Sequence, residues 1–328
     1  MKSVVREVCE EGSFGLSTGL DYPPGSYADT NELIELSRVV ARTGGFYHTH
    51  TRATLRQKGL LAPWQEALEI GRASGIPVHF THYRQRSQGD GSHLDYLGLV
   101  EQSRDEGLDV TFDCYPYVYG STRANIWLPG WTMDGGPERL AVILDSPKER
   151  ARLRQEMQAR NSLGRTDEGW LTNFHKPDNV GYEGRSLLDI SRERGQDPLD
   201  AFLDLMRSEG HSLCAVMVGT NPQTLPAFVS HPCGMVGSDA ILLGEYPSPR
   251  TYGCFPVILA EFVRAEKHLQ LPEAIRKMTS FPAQRLGLRD RGMLREGMKA
   301  DVVIFDPQRS RRRRRRGSPS STRWGFPT

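Results

Sequence analysis

Short apolar segments alternate with longer amphipathic segments along most of this chain. The short segments are rich in β-branched and aromatic residues, as in GFYHTHTR, PVHFTHYR, DVTFDCYPY, SLCAVMVG and GMVGSDA, and this composition is typical of buried strands. The longer segments repeat apolar positions with helical spacing. Asp29, followed by Glu32 three residues later, marks the start of one predicted helix. The alternation predicts βα units that build a parallel sheet.

The regular alternation changes near residue 128, where several charged helical segments follow one another. The segment GMLREGMKADVVIFDP then predicts a turn and a strand of a different sheet. These changes of pattern divide the chain into five parts. The parts are barrel-type βα units over 1–127, a helical insertion over 128–211, the end of the barrel with its following helices over 212–290, a sheet segment over 291–307, and an arginine-rich tail over 308–328.

The composition is that of an ordinary folded protein, with 38% hydrophobic and 25% charged residues among 328. No apolar run approaches the roughly 20 residues that a membrane-spanning helix needs, and the first residues show no secretory signal. The five cysteines form no CxxC pair. We therefore expect a cytoplasmic protein without a membrane partner.

Positive charge is concentrated at the end of the chain. The formal net charge is +2, yet the last 20 residues hold eight arginines and no acid, so the remainder is mildly acidic. Six consecutive arginines repel one another and predict a disordered segment. The tail fits a patch for nucleic acid or acidic surfaces, or a terminus that is not native. No specific nucleic-acid partner is expected for the acidic body.

Candidate metal ligands lie at the ends of three predicted strands. His48 and His50 share one face of FYHTHTR, because side chains alternate along a strand. Only one of His79 and His82, three residues apart in VHFTHYR, is expected to reach the same site. Asp239 follows a later strand in VGSDA. Parallel strand ends converge at one mouth, and two imidazoles with a carboxylate suit Zn²⁺, which activates water for hydrolysis.

Seven blocks of the sequence resemble, in order, the motifs of the N-acyl-D-amino-acid deacylases, or D-aminoacylases, of the metal-dependent amidohydrolase superfamily. The blocks are GSFGLSTGLDYPPG, TGGFYHTHTR, PVHFTHYR, DVTFDCYPYVYGST, GMVGSDA, PRTYGCFPVILAEFV and LREGMKADVVIFDP. The resemblance as a whole runs from about residue 7 to residue 307. This resemblance implies a (β/α)₈ TIM-type barrel with a small β-sandwich built from both chain ends.

The resemblance also implies roles for individual residues. His50 and His82 match zinc ligands, Asp239 matches the catalytic aspartate, and His48 has no required role. The residues that match substrate-binding positions are Tyr22, Tyr115, Ser121 and Arg250. The implied reaction is zinc-dependent hydrolysis of the linear amide of an N-acyl-D-amino acid, giving a carboxylate and a free D-amino acid. In it, a metal-bound hydroxide attacks the acyl carbonyl, and Asp239 acts as general base and then general acid.

The chain departs from the family pattern at its beginning. The family's N-terminal third, which carries an HxH motif and a zinc-ligating cysteine, finds no match here. Cys114 lies at a position that the family does not use for metal. We therefore expect an incomplete barrel of about strands 4–8 and weakly bound Zn²⁺. A truncated form of doubtful activity, with a complementing N-terminal fragment as a possible partner, follows from the same reasoning.

Two other functions remain open at this stage. The same metal-and-aspartate core would serve a cyclic amide or imide hydrolase, similar to a hydantoinase or dihydroorotase. The second alternative is an inactive fragment whose arginine tail binds nucleic acid non-specifically. The YPPG and YPY blocks, together with Arg250, favour acyl amino acids as the small-molecule substrate.

Overall fold

A parallel sheet forms the centre of the computed structural model, which describes residues 1–86 and 90–310. The strands found there are β1 Gly15–Gly19, β2 Phe46–His50, β3 Val78–Phe80, β4 Val110–Cys114, β5 Tyr119–Arg123, β6 Trp170–Thr172, β7 Cys214–Val218 and β8 Gly234–Val236. Five of them pair in the order β1-β2-β3-β4-β8, all parallel. This arrangement confirms the predicted fold class, an incomplete barrel of about five parallel strands.

Helices follow most of the strands, as the sequence predicts. They are α1 Lys2–Glu10, α2 Thr30–Ala41, α3 Ala62–Ser74, α4 His93–Asp105, α5 Gly136–Asp145, α6 Pro147–Ala159, α7 Leu187–Arg194, α8 Pro198–Glu209, α9 Leu225–Ser230, α10 Arg250–Val257, α11 Leu271–Met278 and α12 Ser280–Arg285. A π-helical segment, Ile258–Ala265, continues directly from α10. The Asp29 carboxylate caps α2 by accepting a hydrogen bond of 2.8 Å from the Glu32 backbone N–H. Gly75 ends α3 in a left-handed conformation, with φ +75°.

The two faces of the parallel sheet differ in character. On β2, Tyr47 and Thr49 are buried, whereas Phe46, His48 and His50 are partly exposed on the opposite face. Helices α2, α3 and α4 pack against β1 to β4 and cover the buried side. The alternation of side chains along each strand therefore places His48 and His50 on the face that the helices leave open.

The chain forms two compact units, and each is described by itself. The first comprises Met1–Tyr117, Thr220–Asp239 and the described residues from Gly253 onward, and it contains the parallel sheet. The second comprises Val118–Gly219 and Ala240–Tyr252.

The second unit combines an antiparallel sheet with a helical core. Its strands pair in the order β5-β7-β6. Its apolar core is supplied mainly by α5, α6, α7 and α8, and it includes Leu140, Leu153, Ile190, Phe202 and Met206. The segment 214–218 therefore forms a strand of the antiparallel sheet. The sequence pattern predicts a place for it at the end of the barrel, and that prediction is wrong. A continuous apolar run predicts a buried strand without specifying its partner.

The segment 291–307 forms turns, bends and irregular chain, and it contains no strand among the described residues. The predicted strand in KADVVIFDP is therefore wrong for this structure. Val303 and Ile304 are 82% and 94% exposed. Among the described residues no second strand pairs with them, and a lone strand is not stable in water. Residues 311–328 of the predicted arginine-rich tail lie outside the described residues. Within the described chain, no helix has both the length and the apolar character required to cross a bilayer.

Candidate metal centre

His50 and His82 meet at the carboxyl edge of the parallel sheet. His50 is the last residue of β2, and His82 follows β3 by two residues, with a left-handed backbone at φ +38°. The His50 Nδ1 atom lies 2.8 Å from His82 Nε2, and the two ring centroids are 4.7 Å apart. We call His50 and His82 the strand-edge pair. The two predicted zinc ligands are thus in direct contact.

Asp21 orients the His50 ring from the end of β1. Its Oδ2 atom lies 2.9 Å from His50 Nε2, and its Oδ1 accepts a 2.7 Å hydrogen bond from the Ala53 backbone N–H. A carboxylate accepts but does not donate, so the proton belongs on Nε2 and the Nδ1 lone pair faces His82. Sequence reasoning missed this residue, although the block GLDYPPG places an acid directly after a strand, beside the predicted Tyr22.

The environment of His82 favours its neutral form. Desolvation by burial is the main cause that lowers its pKa well below the ordinary value, and the positive charge of Arg84 acts in the same direction. A neutral imidazole offers a lone pair to a metal ion, whereas a protonated ring does not. The electrostatics at this strand end therefore suit a ligand role.

Asp239 lies in the loop after β8, with an exposed side chain and a left-handed backbone at φ +45°. Carboxyl ends of parallel strands share one edge of a sheet, so this loop leaves the sheet at the edge that carries the strand-edge pair. Gly237 allows the loop to pass close to β4, because a Cβ there would lie 2.8 Å from Asp113 Oδ1. Left-handed backbone is uncommon and costly for residues other than glycine, and it concentrates at functional positions.

A second polar cluster lies below the strand-edge pair, on the open face of β2, β3 and β4. His79 Nε2 is 3.0 Å from Asp113 Oδ2, and His48 Nε2 is 3.8 Å from the same oxygen. The two rings stack at 5.3 Å with an interplanar angle of 9°. We call His48, His79 and Asp113 the inner cluster. Its ligand-type atoms all lie within 4.8 Å of one another.

The inner cluster was not anticipated from the sequence. Only one of His79 and His82 was expected to reach the site, whereas the register pairs His79 directly with His48 on the same face. Asp113 was missed, although the alternation of VTFDC places Thr111 and Asp113 on that face. Burial alone would raise the pKa of Asp113, but hydrogen bonds from His48, His79 and the His82 backbone lower it well below the usual range.

The remaining predicted site residues fall in different surroundings. The Tyr22 ring lies 5.5 Å from the His50 ring. Tyr115 is buried, and the Arg84 guanidinium lies 4.8 Å from its ring centroid. In the second unit, Arg250 is 1% exposed, and its Nη2 donates to the backbone oxygen and the Oγ of Ser121 at 3.1 and 3.2 Å.

Comparisons with known proteins agree with these features. The sequence profile described as the amidohydrolase family matches residues 227–317. The chain is 31% identical to the D-aminoacylase of Alcaligenes xylosoxydans xylosoxydans over 310 residues, which cover 94% of this chain and 54% of that relative. It is 30% identical to the N-acyl-D-glutamate deacylase of the same organism over 312 residues, covering 93% of this chain and 54% of that relative. The chain thus spans about half the length of the curated relatives it matches.

Solved structures give the same picture. N-acyl-D-glutamate deacylase from Bordetella bronchiseptica, complexed with zinc and a phosphonate inhibitor, superposes with a TM-score of 0.75 at 28% identity. The match covers 95% of this chain and 57% of that one. A crystal structure of D-aminoacylase gives a TM-score of 0.71 at 28% identity, covering 94% of this chain and 56% of that one. The resemblance is confirmed: nearly the whole of this chain is similar to the D-aminoacylases and related deacylases, and residues 227–317 match the amidohydrolase family.

Proposed function

We propose that this chain carries the strand-edge half of a zinc-dependent active site that hydrolyses the amide of N-acyl-D-amino acids. The observation that supports this proposal most directly is the 2.8 Å approach of His50 Nδ1 to His82 Nε2 beside the Asp21 carboxylate. A ring nitrogen held by a carboxylate, with the other nitrogen free for metal, is the usual arrangement of a zinc-bound histidine. Matching to deacylases over nearly the whole chain supports the substrate class.

The donor set of the strand-edge pair fits zinc. Two ligands at about 2.1 Å from a tetrahedral ion lie about 3.4 Å apart. The 2.8 Å separation in the structure therefore needs only a small rotation of the two rings to admit the ion. When bound, zinc supplies Lewis acidity, which makes water more acidic and the acyl carbonyl more electrophilic. Two protein ligands leave further coordination positions open, which fits the predicted weak binding.

Asp239 is the proton carrier in this proposal. Its carboxylate removes one proton from the attacking water as the water oxygen bonds to the acyl carbon. It then donates that proton to the amide nitrogen as the carbon–nitrogen bond breaks, so that the amine leaves in its neutral form. An exposed carboxylate in a loop at the strand edge can reach water and substrate without losing much solvation. The products are a carboxylate and a free D-amino acid.

Arg250 and Ser121 are proposed to bind the carboxylate of the substrate. The guanidinium presents parallel N–H groups that match a carboxylate in two-point contact. Its contacts with the Ser121 hydroxyl and backbone oxygen hold the planar group in one orientation. Tyr22, whose ring lies beside His50, is proposed to line the acyl side of the site, and Tyr115 stays a predicted substrate-binding residue.

The test combines metal binding with turnover by the full chain. Zinc affinity is measured by titration of the metal-stripped protein, and turnover by release of free amine from N-acetyl-D-methionine and N-acetyl-D-glutamate. We expect His50→Gln and His82→Gln to weaken zinc binding at the strand-edge pair about 100-fold or more. Asp239→Asn should leave zinc binding nearly unchanged and abolish hydrolysis.

Asp178→Asn, an exposed aspartate of the second unit, is the matched control for Asp239→Asn. An unchanged number of zinc ions bound per chain, at unchanged affinity, in the His50→Gln/His82→Gln double variant would refute the ligand assignment. Hydrolysis that survives Asp239→Asn would remove the proposed proton carrier. Faster turnover of a cyclic amide such as a hydantoin than of either N-acetyl-D-amino acid would favour the cyclic amide alternative.

A further inference from the structure

The inner cluster has the composition and placement of a metal site distinct from the strand-edge pair. Its three side chains come from three adjacent strands and share one face of the sheet, since His48 pairs with His79 and Asp113 lies two residues beyond Thr111, the partner of His79. We propose that His48, His79 and Asp113 bind a second divalent first-row metal ion, for which Zn²⁺ serves as the probe. This proposal does not depend on the proposed hydrolase function.

The distances within the cluster match those of a coordination sphere. The Asp113 Oδ2 atom lies 3.0 Å from His79 Nε2 and 3.8 Å from His48 Nε2. Ligands of a tetrahedral zinc ion lie about 3.4 Å apart, because each is about 2.1 Å from the metal. The two observed distances bracket this value, and the ligand atoms of all three residues lie within 4.8 Å of one another, so rotation of the two stacked rings would bring both Nε2 atoms onto one ion. Two imidazoles and one carboxylate are hard enough for Zn²⁺, Mn²⁺ or Fe²⁺.

Both histidines also have the supporting contacts that metal-binding histidines need. The Nδ1 atom of His79 lies 2.8 Å from Thr111 Oγ1, and that of His48 lies 3.3 Å from Ser17 Oγ. A hydroxyl can donate to Nδ1 while Nε2–H bonds the carboxylate, and it can accept from Nδ1 once Nε2 binds a metal. The hydroxyls therefore satisfy the rings in both states, and they orient Nε2 toward Asp113 throughout.

A metal ion has a route to these ligands. All three residues line a cavity of about 450 Å³ on the open face of the sheet, with Phe14 and Pro282 among its other walls. A cavity of this size also holds the waters that would complete the coordination sphere.

The charges around the cavity favour a cation. Arg285 also lines it, but its guanidinium donates to the Asp109 carboxylate at 2.7 Å and to the Val78 backbone oxygen. Its charge is therefore compensated outside the cluster. The Asp113 carboxylate, which lines the same cavity, remains to attract the ion.

The experiment separates the inner cluster from the strand-edge pair by removing the latter. The metal-stripped full chain carrying His50→Gln and His82→Gln is titrated with Zn²⁺, and bound metal is measured after dialysis. We expect one zinc per chain to remain in this background. Adding His48→Gln or His79→Gln should weaken that binding by about 100-fold or more, whereas adding the control His175→Gln, an exposed histidine of the second unit, should not change it.

Absence of bound zinc in the His50→Gln/His82→Gln background, with circular dichroism showing native structure, would overturn the proposal. Undiminished binding after both His48→Gln and His79→Gln would overturn it equally. Thr111→Val provides an independent test with little loss of shape, and it should weaken zinc binding by about 10- to 100-fold by removing the Nδ1 partner of His79. Thr43→Val is the matched control, because the Thr43 hydroxyl bonds only the Val40 carbonyl among the contacts described for it. Equal zinc affinities of the two threonine variants would also count against the site.

Discussion

The Asp21→Asn substitution tests how His50 is prepared to bind metal. In the wild type, His50 Nε2 donates across 2.9 Å to Asp21 Oδ2, and Asp21 is shielded, with its side chain 10% exposed. The asparagine keeps the size of the side chain and can still accept from the Ala53 backbone N–H. It can also turn its NH₂ group toward His50 Nε2, however, which drives the proton to Nδ1. That nitrogen is the one that faces His82, so its lone pair is lost to metal.

The magnitude of this effect follows from two independent scales. A hydrogen bond to a charged group contributes about 1.5–3 kcal/mol. Loss of a carboxylate partner behind a metal-binding histidine typically weakens the metal site by about 10- to 100-fold, which corresponds to about 1.4–2.8 kcal/mol. The two ranges agree. We therefore expect Asp21→Asn to raise the dissociation constant for Zn²⁺ by about 10- to 100-fold.

The assay is zinc titration of the metal-stripped chain, alongside urea unfolding of the same samples. Unfolding of the metal-free variant should change by less than about 1 kcal/mol, because the hydrogen bond from Ala53 persists. The exposed Asp178→Asn serves as control and should match the wild type in both measurements. Equal zinc affinity of Asp21→Asn and wild type would refute the orienting role. A large loss of unfolding free energy without zinc would show that Asp21 acts mainly on the fold.

Three further predictions concern pH, substrate and packing. The lowered pKa of His82 means that, below the ordinary value of about 6.5, the unfolded metal-free chain takes up a proton that the folded chain does not. Its unfolding free energy should therefore fall with decreasing pH by up to about 1.4 kcal/mol per pH unit, and urea melts of His82→Gln should show a smaller slope. Arg250→Lys should raise KM for N-acyl-D-amino acids about tenfold or more while changing kcat less, since lysine lacks the planar fork held against Ser121; an unchanged KM in amine-release assays would contradict this. Tyr83→Phe should lower the unfolding free energy by about 1 kcal/mol by removing the buried 2.6 Å hydrogen bond to the Tyr96 carbonyl, and a urea melt identical to wild type would show that this bond contributes nothing.

Local signals in the sequence predicted most elements of the fold. The cap at Asp29, the glycine that ends α3 at Gly75 and the apolar runs of β2, β3 and β4 all lie where their residue chemistry indicates. These signals depend on residues a few positions apart, so they can be recognised without knowledge of the tertiary structure. The contact between His50 and His82 follows from the same logic, because adjacent parallel strands end at one edge.

The wrong strand predictions share a different cause. Whether a segment forms a strand, and in which sheet, depends on partner strands that are distant in sequence. The strand at 214–218 is apolar enough for either sheet, and only its pairing with Tyr119–Arg123 and Trp170–Thr172 shows which one it joins. The segment 291–307 has the composition of a strand but no partner strand among the described residues, so it forms no strand. Composition favours a strand, but hydrogen bonds to a neighbour form it.

Asp113 was not predicted from the sequence, yet it contacts both the strand-edge pair and the other two residues of the inner cluster. Its Oδ1 accepts from the His82 backbone N–H at 2.8 Å, while its Oδ2 faces His79 and His48. Residues two apart on a strand lie roughly 6.6 Å apart on one face, so His48 is one layer below His50. The Asp113 carboxylate, near the end of β4, can therefore bind the backbone of His82 and also the side chains of His48 and His79. Metal binding by the inner cluster would thus fix the backbone that presents His82 to the strand-edge pair.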